Sequence, residues 1–158
     1  MKHHVLAAAL VNELVRREKT VATAESCTGG WVAKCLTDVA GSSAAFEFGW
    51  VSYANRAKTE MLGVPATTLE THGAVSEPVV AAMAAGAKAA SGADYAVAIS
   101  GIAGPGGGSP DKPVGLVWFG WAVPNGDVQT RCWRFEGDRN AVRTLSCETA
   151  LEGVLSRL

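Results

Sequence analysis

The stretch TVATAESCTGGW, residues 20–31, sets the pattern for the rest of the chain. Residues 19–24 are rich in apolar and β-branched side chains, which is typical of a short buried strand. A carboxylate, two hydroxyls and a thiol follow at residues 25–28, and two glycines then precede an apolar run. This order predicts a strand, a tight polar turn and a helix that begins near Gly29.

Two interpretations of the polar turn are open at this point. Free N–H groups and partial positive charge collect at a helix N-terminus, so the turn can hold an anion or stabilise an oxyanion. Ser and Thr are also preferred at helix starts for structural reasons alone. The turn is therefore either an ordinary helix cap or part of a reactive site.

Length and composition predict one globular domain over residues 1–158. Hydrophobic residues make up 48% and charged residues 18% of the 158, enough for a sizeable core and unlike a disordered chain. The net charge is −1 and the basic residues do not cluster, so nucleic acid is not an expected partner. No stretch has the length and apolarity of a membrane span, and no secretory signal is recognised, which favours a cytoplasmic location.

The cysteines and histidines do not have the spacing of a metal site. None of the four cysteines forms a CxxC pair, and the three histidines have no ligand spacing to them. A zinc site is therefore not expected. No cofactor is expected.

Helical and strand patterns alternate through most of the chain. Helices are predicted over residues 6–17, 31–39, 55–62, 76–90 and about 140–158, and strands over 19–24, 46–53, 95–99, 114–123 and 128–135. Residues 67–74 are predicted as a polar connection and residues 101–110 as a glycine-rich loop. Asn125-Gly126 between two strands is a strong hairpin signal. The predicted fold class is α/β, a three-layer α/β/α sandwich with a mixed, mostly parallel sheet of about five strands and a late antiparallel hairpin.

Ser26 is a candidate nucleophile, provided that a base accompanies it. His72 lies in a connecting segment and no acid is placed to orient it, whereas a desolvated lysine can replace histidine as the base. The candidate lysines are Lys58, Lys34 and Lys112. Tyr53 could relay a proton or fix the lysine, or it is simply a half-buried aromatic residue at the end of a strand.

Other polar features allow two interpretations each. Cys27 is either a rival nucleophile or a small buried residue. The glycine-rich loop either presents N–H groups to a phosphate or is an ordinary surface loop. Arg139 and Arg143, one helical turn apart, either clamp a phosphate or carboxylate or belong to a solvated helix face.

Eight short motifs in a fixed order resemble one known family, the CinA C-terminal domain family, and within it the stand-alone nicotinamide-mononucleotide amidases. The resemblance covers roughly residues 5–155. The motifs are AESCTGG at 24–30, GSS at 41–43, YANRAK at 53–58, LGV at 62–64, HGAVSE at 72–77, SGIAGP at 100–105, KPVG at 112–115 and GDR at 137–139.

The resemblance implies hydrolysis of the carboxamide of nicotinamide mononucleotide in pyridine-nucleotide recycling. It implies a Ser–Lys pair at Ser26 and Lys58 with Tyr53 close by. With the turn chemistry above, we expect the oxyanion donors at Cys27 and Thr28 and room for a flat ring at Gly29 and Gly30. The remaining substrate contacts are expected at Ser100, Gly101, Ile102, Gly104 and Arg139. The expected partner is a small nucleotide, and a homo-oligomer is possible because Trp118 and Trp121 share one strand.

Overall fold

The structure, a computed structural model, describes residues 1–158. Its helices are α1 (Lys2–Arg16), α2 (Trp31–Thr37), α3 (Asn55–Leu62), α4 (Ala66–His72), α5 (Glu77–Ser91) and α6 (Arg139–Leu155). Its strands are β1 (Val21–Glu25), β2 (Phe46–Val51), β3 (Tyr95–Gly101), β4 (Leu116–Ala122) and β5 (Val128–Arg134). A single 3₁₀ turn spans Ser42–Ala44.

The five strands form one sheet in the order β2-β1-β3-β4-β5. The β2–β1 and β1–β3 pairs are parallel, and the β3–β4 and β4–β5 pairs are antiparallel. The mixed five-stranded sheet and the late hairpin are confirmed. The sheet is not mostly parallel, however, because β4 returns antiparallel to β3 without a crossover helix, which divides the pairs equally.

Alternating side chains of the central strands build a separate core on each face of the sheet. Val97 and Ile99 of β3 join a cluster with α1, α2 and α6, whereas Ala96 and Ala98 join a cluster with α3, α4 and α5. The face toward α5 carries small residues, so this helix packs very close to the sheet. A Cβ on Gly120 would stand 2.7 Å from the Val80 carbonyl oxygen. The predicted three-layer α/β/α arrangement is confirmed.

Helix α4 was not predicted, because residues 67–74 have the composition of a polar connection. Thr67, Thr68 and His72 are weak helix formers. The helix exists because Leu69 is buried against the cluster under α5. Tertiary packing therefore overrides local preference in this segment.

The tryptophans of β4 are only partly available for contact with another molecule. Trp121 is buried, and its Nε1 donates to the Ala150 carbonyl at 3.2 Å. Trp118 is half-buried. A homo-oligomer stays a prediction. None of the helices is both long enough and apolar enough to cross a membrane.

Candidate active site

The carboxyl ends of β1 and β3 lie side by side and open into one cleft. The two strands are parallel neighbours with Glu25 in register with Ile99. The Ser26 N–H donates to the Ile99 carbonyl at 2.9 Å, which fixes the start of the turn after β1. The cleft has a volume of about 290 Å³, at the lower end of the range for small-molecule sites.

Lys58 of α3 reaches Ser26 at the bottom of this cleft. Its Nζ donates to Ser26 Oγ at 3.0 Å, to the Ser52 carbonyl at 2.8 Å and to the Tyr53 carbonyl at 3.1 Å. The lysine is only 1% exposed. All three ammonium protons therefore have acceptors, and the amine is held in one place beside the serine hydroxyl.

The environment of Lys58 favours its neutral form. None of its three hydrogen-bond acceptors is a carboxylate, so no counter-ion compensates the buried charge. Burial lowers the pKa of Lys58 from 10.5 to about 8. At pH 7 about a tenth of the molecules then carry a neutral amine that can accept a proton.

The other predicted bases do not reach the serine. Lys34 pairs with Asp38 at 2.7 Å on the surface, and Lys112 donates to the His72 carbonyl. Of the three candidate lysines, only Lys58 contacts Ser26.

Tyr53 contributes to this arrangement through its backbone rather than its ring. Its carbonyl oxygen accepts from Lys58 and lies 3.5 Å from Ser26 Oγ. The side chain is 59% exposed, and its hydroxyl accepts from Arg139 Nη2 at 3.3 Å. Tyr53 therefore fixes the lysine, as one of the two predicted roles requires, while its phenol contacts neither Ser26 nor Lys58.

Cys27 has the properties of a buried structural thiol. It is 6% exposed, and burial raises its pKa to about 11. Its thiolate is scarce at neutral pH, so its nucleophilicity is low. The residue nevertheless lines the cleft next to Ser26.

Three N–H groups of the turn have no acceptor within the protein, those of Cys27, Thr28 and Gly30. Between them, the Gly29 N–H donates to the Ser26 carbonyl at 3.1 Å, and the Trp31 N–H donates to the Thr28 carbonyl at 3.1 Å. The free donors of Cys27 and Thr28 lie immediately after the serine, where an oxyanion hole for an acyl-transfer reaction is required.

The N-terminus of α2 is capped by Glu25, the carboxylate that ends β1. The buried carboxylate accepts from Val32 N at 2.9 Å, from Ala33 N at 3.1 Å and from the Thr28 hydroxyl at 2.6 Å. The helix end is therefore already occupied by an anion of the protein itself. A helix cap, one of the two interpretations of this turn, is therefore present, and the turn before the helix supplies the free donors. A carboxylate at the end of a strand, just before a short helix, is the signal that could have indicated this cap.

Two predicted substrate-binding residues, Gly29 and Gly30, lie outside the cleft. Gly29 and Gly30 have left-handed backbone angles, φ 61° and 98°, that turn the chain into α2. Together with Thr28 they line a different pocket, beside Trp31 and Arg143. Gly29 and Gly30 therefore do not make room for a flat ring next to Ser26.

The opposite side of the cleft comes from the glycine-rich segment after β3 and from α6. Arg139 donates from Nη1 to the Gly104 carbonyl at 2.9 Å and thereby connects α6 to this segment. Asp138 caps α6 by accepting from Ala141 N at 2.8 Å, which fixes the start of the helix that carries Arg139. The predicted residues that line this side are Ser100, Gly101, Ile102, Gly104 and Arg139.

No group of three or more His, Cys, Asp or Glu side chains is placed to hold a metal ion. The groups that the cleft offers are a hydroxyl, a buried amine, free backbone N–H groups and one guanidinium. Such a set suits acyl transfer to a serine.

Several characterised proteins are similar in sequence. Over 139 residues the chain is 61% identical to the nicotinamide-nucleotide amidohydrolase PncC of Escherichia coli (strain K12), covering 88% of this chain and 84% of that protein. It is 53% identical over 150 residues to PncC of Pseudomonas putida, covering 95% and 93%. A CinA-like protein of Akkermansia muciniphila is 58% identical over 147 residues, which are 93% of this chain but 36% of that longer protein.

Solved structures show the same fold at high similarity. The competence/damage inducible protein CihA from Agrobacterium tumefaciens superposes with a TM-score of 0.97 at 44% identity, covering 99% of this chain and 95% of that one. The competence damage-inducible protein A (ComA) from Klebsiella pneumoniae superposes with a TM-score of 0.94 at 39% identity. The superposition covers 98% of this chain and 96% of that one. The sequence profile of the CinA C-terminal domain matches residues 3–158. The chain therefore belongs to the CinA C-terminal domain family.

Proposed function

We propose that residues 1–158 form one amidohydrolase domain that converts nicotinamide mononucleotide and water to nicotinate mononucleotide and ammonia. The names of the PncC relatives, at 53–61% identity and nearly full length, support the reaction and the substrate class. The observation that carries the mechanism is the 3.0 Å contact between Ser26 Oγ and the Nζ of Lys58, a buried lysine without a counter-ion.

Acylation begins when neutral Lys58 takes the proton from the Ser26 hydroxyl as Oγ attacks the carboxamide carbon. The carbonyl oxygen becomes an oxyanion, which accepts hydrogen bonds from the free N–H groups of Cys27 and Thr28. One such donor is typically worth about 3 kcal/mol of the barrier. The C–N bond then breaks, Lys58 returns its proton to the leaving nitrogen, and ammonia departs.

Deacylation repeats these steps with water as the nucleophile. Lys58, neutral again, removes a proton from water as the oxygen attacks the ester carbon. The Ser26–acyl bond breaks, the proton passes from Lys58 to Ser26 Oγ, and the pyridine carboxylic acid is released and loses its proton to solvent. The same amine acts as base and acid in both halves, so the proton balance closes.

Nucleotide recognition is assigned to the side of the cleft opposite Ser26. Arg139 supplies the cation for the phosphate, and the backbone of residues 100–107 supplies N–H groups. The substrate is an intracellular metabolite, so we place the reaction in the cytoplasm as part of pyridine-nucleotide recycling.

Ammonia release from nicotinamide mononucleotide tests the proposal. Wild type and Cys27→Ala are expected to turn over, whereas Ser26→Ala is expected to lose at least about 1,000-fold in kcat. Nucleotide binding without turnover, measured by calorimetry under conditions in which a PncC protein is active, would instead indicate a binding module. Loss of activity in Cys27→Ala alone would indicate a thiol enzyme.

A further inference from the structure

Arg143 of α6 contacts the polar turn from the side that faces away from the cleft. Its Nε donates to the Cys27 carbonyl at 3.0 Å and its Nη2 to the Thr28 carbonyl at 3.2 Å. The centre of the guanidinium lies 5.5 Å from the centroid of the Trp31 ring. One side chain thus holds both carbonyls that follow the proposed nucleophile.

Peptide geometry transmits this contact to an oxyanion donor. The Cys27 carbonyl and the Thr28 N–H belong to one planar trans peptide unit, so they point in opposite directions. A cation on the carbonyl therefore fixes the direction of the N–H on the other side. It also polarises the peptide and makes that N–H a stronger donor.

Thr28 is held from a second direction as well. Its hydroxyl donates to the buried Glu25 carboxylate at 2.6 Å. Glu25 fixes the side chain and Arg143 fixes the backbone, while the Thr28 N–H itself has no acceptor within the protein. Preorganisation of this kind is what an oxyanion hole requires.

Arg143 does not occupy the position of a substrate ligand. It lines the pocket behind the turn, whereas Arg139, one helical turn earlier, lines the cleft. Two of its N–H groups are already used by backbone carbonyls. The two arginines that share a face of α6 therefore have separate tasks.

We propose that Arg143 is a positioning residue that orients and polarises the Cys27–Thr28 peptide for oxyanion stabilisation. This inference rests on the proposed function of Ser26. It predicts that Arg143 acts on the transition state and not on substrate binding.

The test compares Arg143→Gln and Arg143→Lys with Arg157→Gln. Arg157 is a matched control, because it also donates to a backbone carbonyl, that of Gly153 at 2.8 Å, and also lies over a tryptophan, but it lines a different pocket from the cleft. Arg143→Gln is expected to lower kcat about 10- to 100-fold with KM changed less than about threefold, as for a weakened oxyanion donor. Arg143→Lys, which retains a cation, should recover part of kcat, and Arg157→Gln should leave kcat unchanged.

An aldehyde analogue of the substrate separates positioning from general damage. Ser26 Oγ adds to the aldehyde carbon and forms a tetrahedral adduct. The affinity of the protein for this analogue should therefore fall together with kcat in Arg143→Gln. Affinity for the product, nicotinate mononucleotide, should not change. A kcat within threefold of wild type, or a raised KM at unchanged kcat, would overturn the inference.

The effect of Arg143 on the Cys27–Thr28 peptide can also be measured without enzymatic activity. If wild type releases no ammonia from the nucleotide, the proposed function fails. The ¹H–¹⁵N resonance of the Thr28 amide still reports on positioning, and it should shift in Arg143→Gln and in Arg143→Lys but not in Arg157→Gln. An unshifted Thr28 resonance in both Arg143 variants would overturn the role of Arg143 whatever the activity.

Discussion

The two sides of the cleft are built in opposite ways. One side carries the proposed catalytic residues Ser26 and Lys58 together with Cys27 and Tyr53, and we call it the catalytic wall. It is tightly bonded, and the Lys58 amine alone has three acceptors. The other side, residues 100–107 and Arg139, has the proposed role in nucleotide binding, and we call it the recognition wall. It consists largely of glycines and exposed backbone. Arg139 joins the two walls by contacting the Gly104 carbonyl and the Tyr53 hydroxyl.

This difference follows from what each wall has to do. Proton transfer between a hydroxyl and an amine tolerates little displacement, so the groups that perform it must be fixed before the substrate arrives. A nucleotide is large and polar, and a backbone without side chains leaves space and N–H groups for it. We therefore expect changes in the catalytic wall to alter kcat and changes in the recognition wall to alter KM.

The largest effect is expected from removing the amine of the catalytic wall. Lys58→Met should lower kcat at least about 1,000-fold, because no other base contacts Ser26. Lys34→Met is the matched control, since Lys34 pairs with Asp38 on the surface, and it should keep wild-type kcat. Steady-state ammonia release from both variants is the measurement. Wild-type turnover by Lys58→Met would show that Lys58 takes no part in the reaction.

The pH dependence should follow the lowered pKa of Lys58. Because the neutral amine is the active form, kcat/KM should fall about tenfold for each pH unit below about 8, or about 50-fold between pH 8 and pH 6. Initial rates across this range measure the profile. A profile that is flat between pH 6 and pH 8 contradicts the role of the amine.

The free energy of unfolding should depend on pH in a defined direction, because the pKa of Lys58 is lowered in the folded chain. The folded-state pKa is about 8 against 10.5 for the ordinary group, so the unfolded chain binds the extra proton between these values. The free energy of unfolding of wild type relative to Lys58→Met should therefore rise with pH from about 8 to about 10.5. Urea unfolding at several pH values measures it, and a constant difference would show that the pKa is not lowered.

An intermediate effect is expected on the recognition wall. Arg139→Gln should raise KM about tenfold with kcat within threefold, because it removes a charge-assisted contact worth about 1.5 kcal/mol. The difference from wild type should vanish with nicotinamide riboside, which lacks the phosphate. Arg56→Gln, an exposed change on α3, serves as control. A fall in kcat at constant KM would show that Arg139 acts on the reaction step and not on nucleotide binding.

The smallest effect is expected at the phenol of Tyr53. Tyr53→Phe keeps the carbonyl that holds Lys58 and loses only the contact with Arg139 at 3.3 Å. We expect kcat within about threefold of wild type and a KM raised no more than threefold, since an exposed hydrogen bond contributes little. Steady-state kinetics decide the point. A tenfold or larger loss of kcat would assign the phenol a step in proton transfer.

Most of the fold was predictable from local patterns. The apolar runs of β1 and β3, the glycine-rich segment and the Asn125-Gly126 hairpin signal each depend on short-range preferences. Helix α4 was missed because its stability comes from the burial of Leu69 by other elements. The balance of parallel and antiparallel pairs likewise depends on strand order, which local patterns do not determine.

The site was predictable only in part, because long-range contacts decide which groups meet. The order of the motifs indicated Ser26 and Lys58, which are 32 residues apart in sequence and in hydrogen-bond contact in the structure. Their catalytic role stays a prediction. The Glu25 cap and the contacts of Arg143 depend on how α2 and α6 pack, so neither was visible in the sequence.

The most direct test of the central claim is to locate the acyl group during turnover. Protein quenched with acid in the first turnover is digested with trypsin, and the peptide of residues 20–34, which contains both Ser26 and Cys27, is analysed by mass spectrometry. We predict a nicotinoyl-nucleotide ester on Ser26 that survives neutral hydroxylamine. A hydroxylamine-labile thioester on Cys27, or product formation by Ser26→Ala at the wild-type rate, would contradict the account.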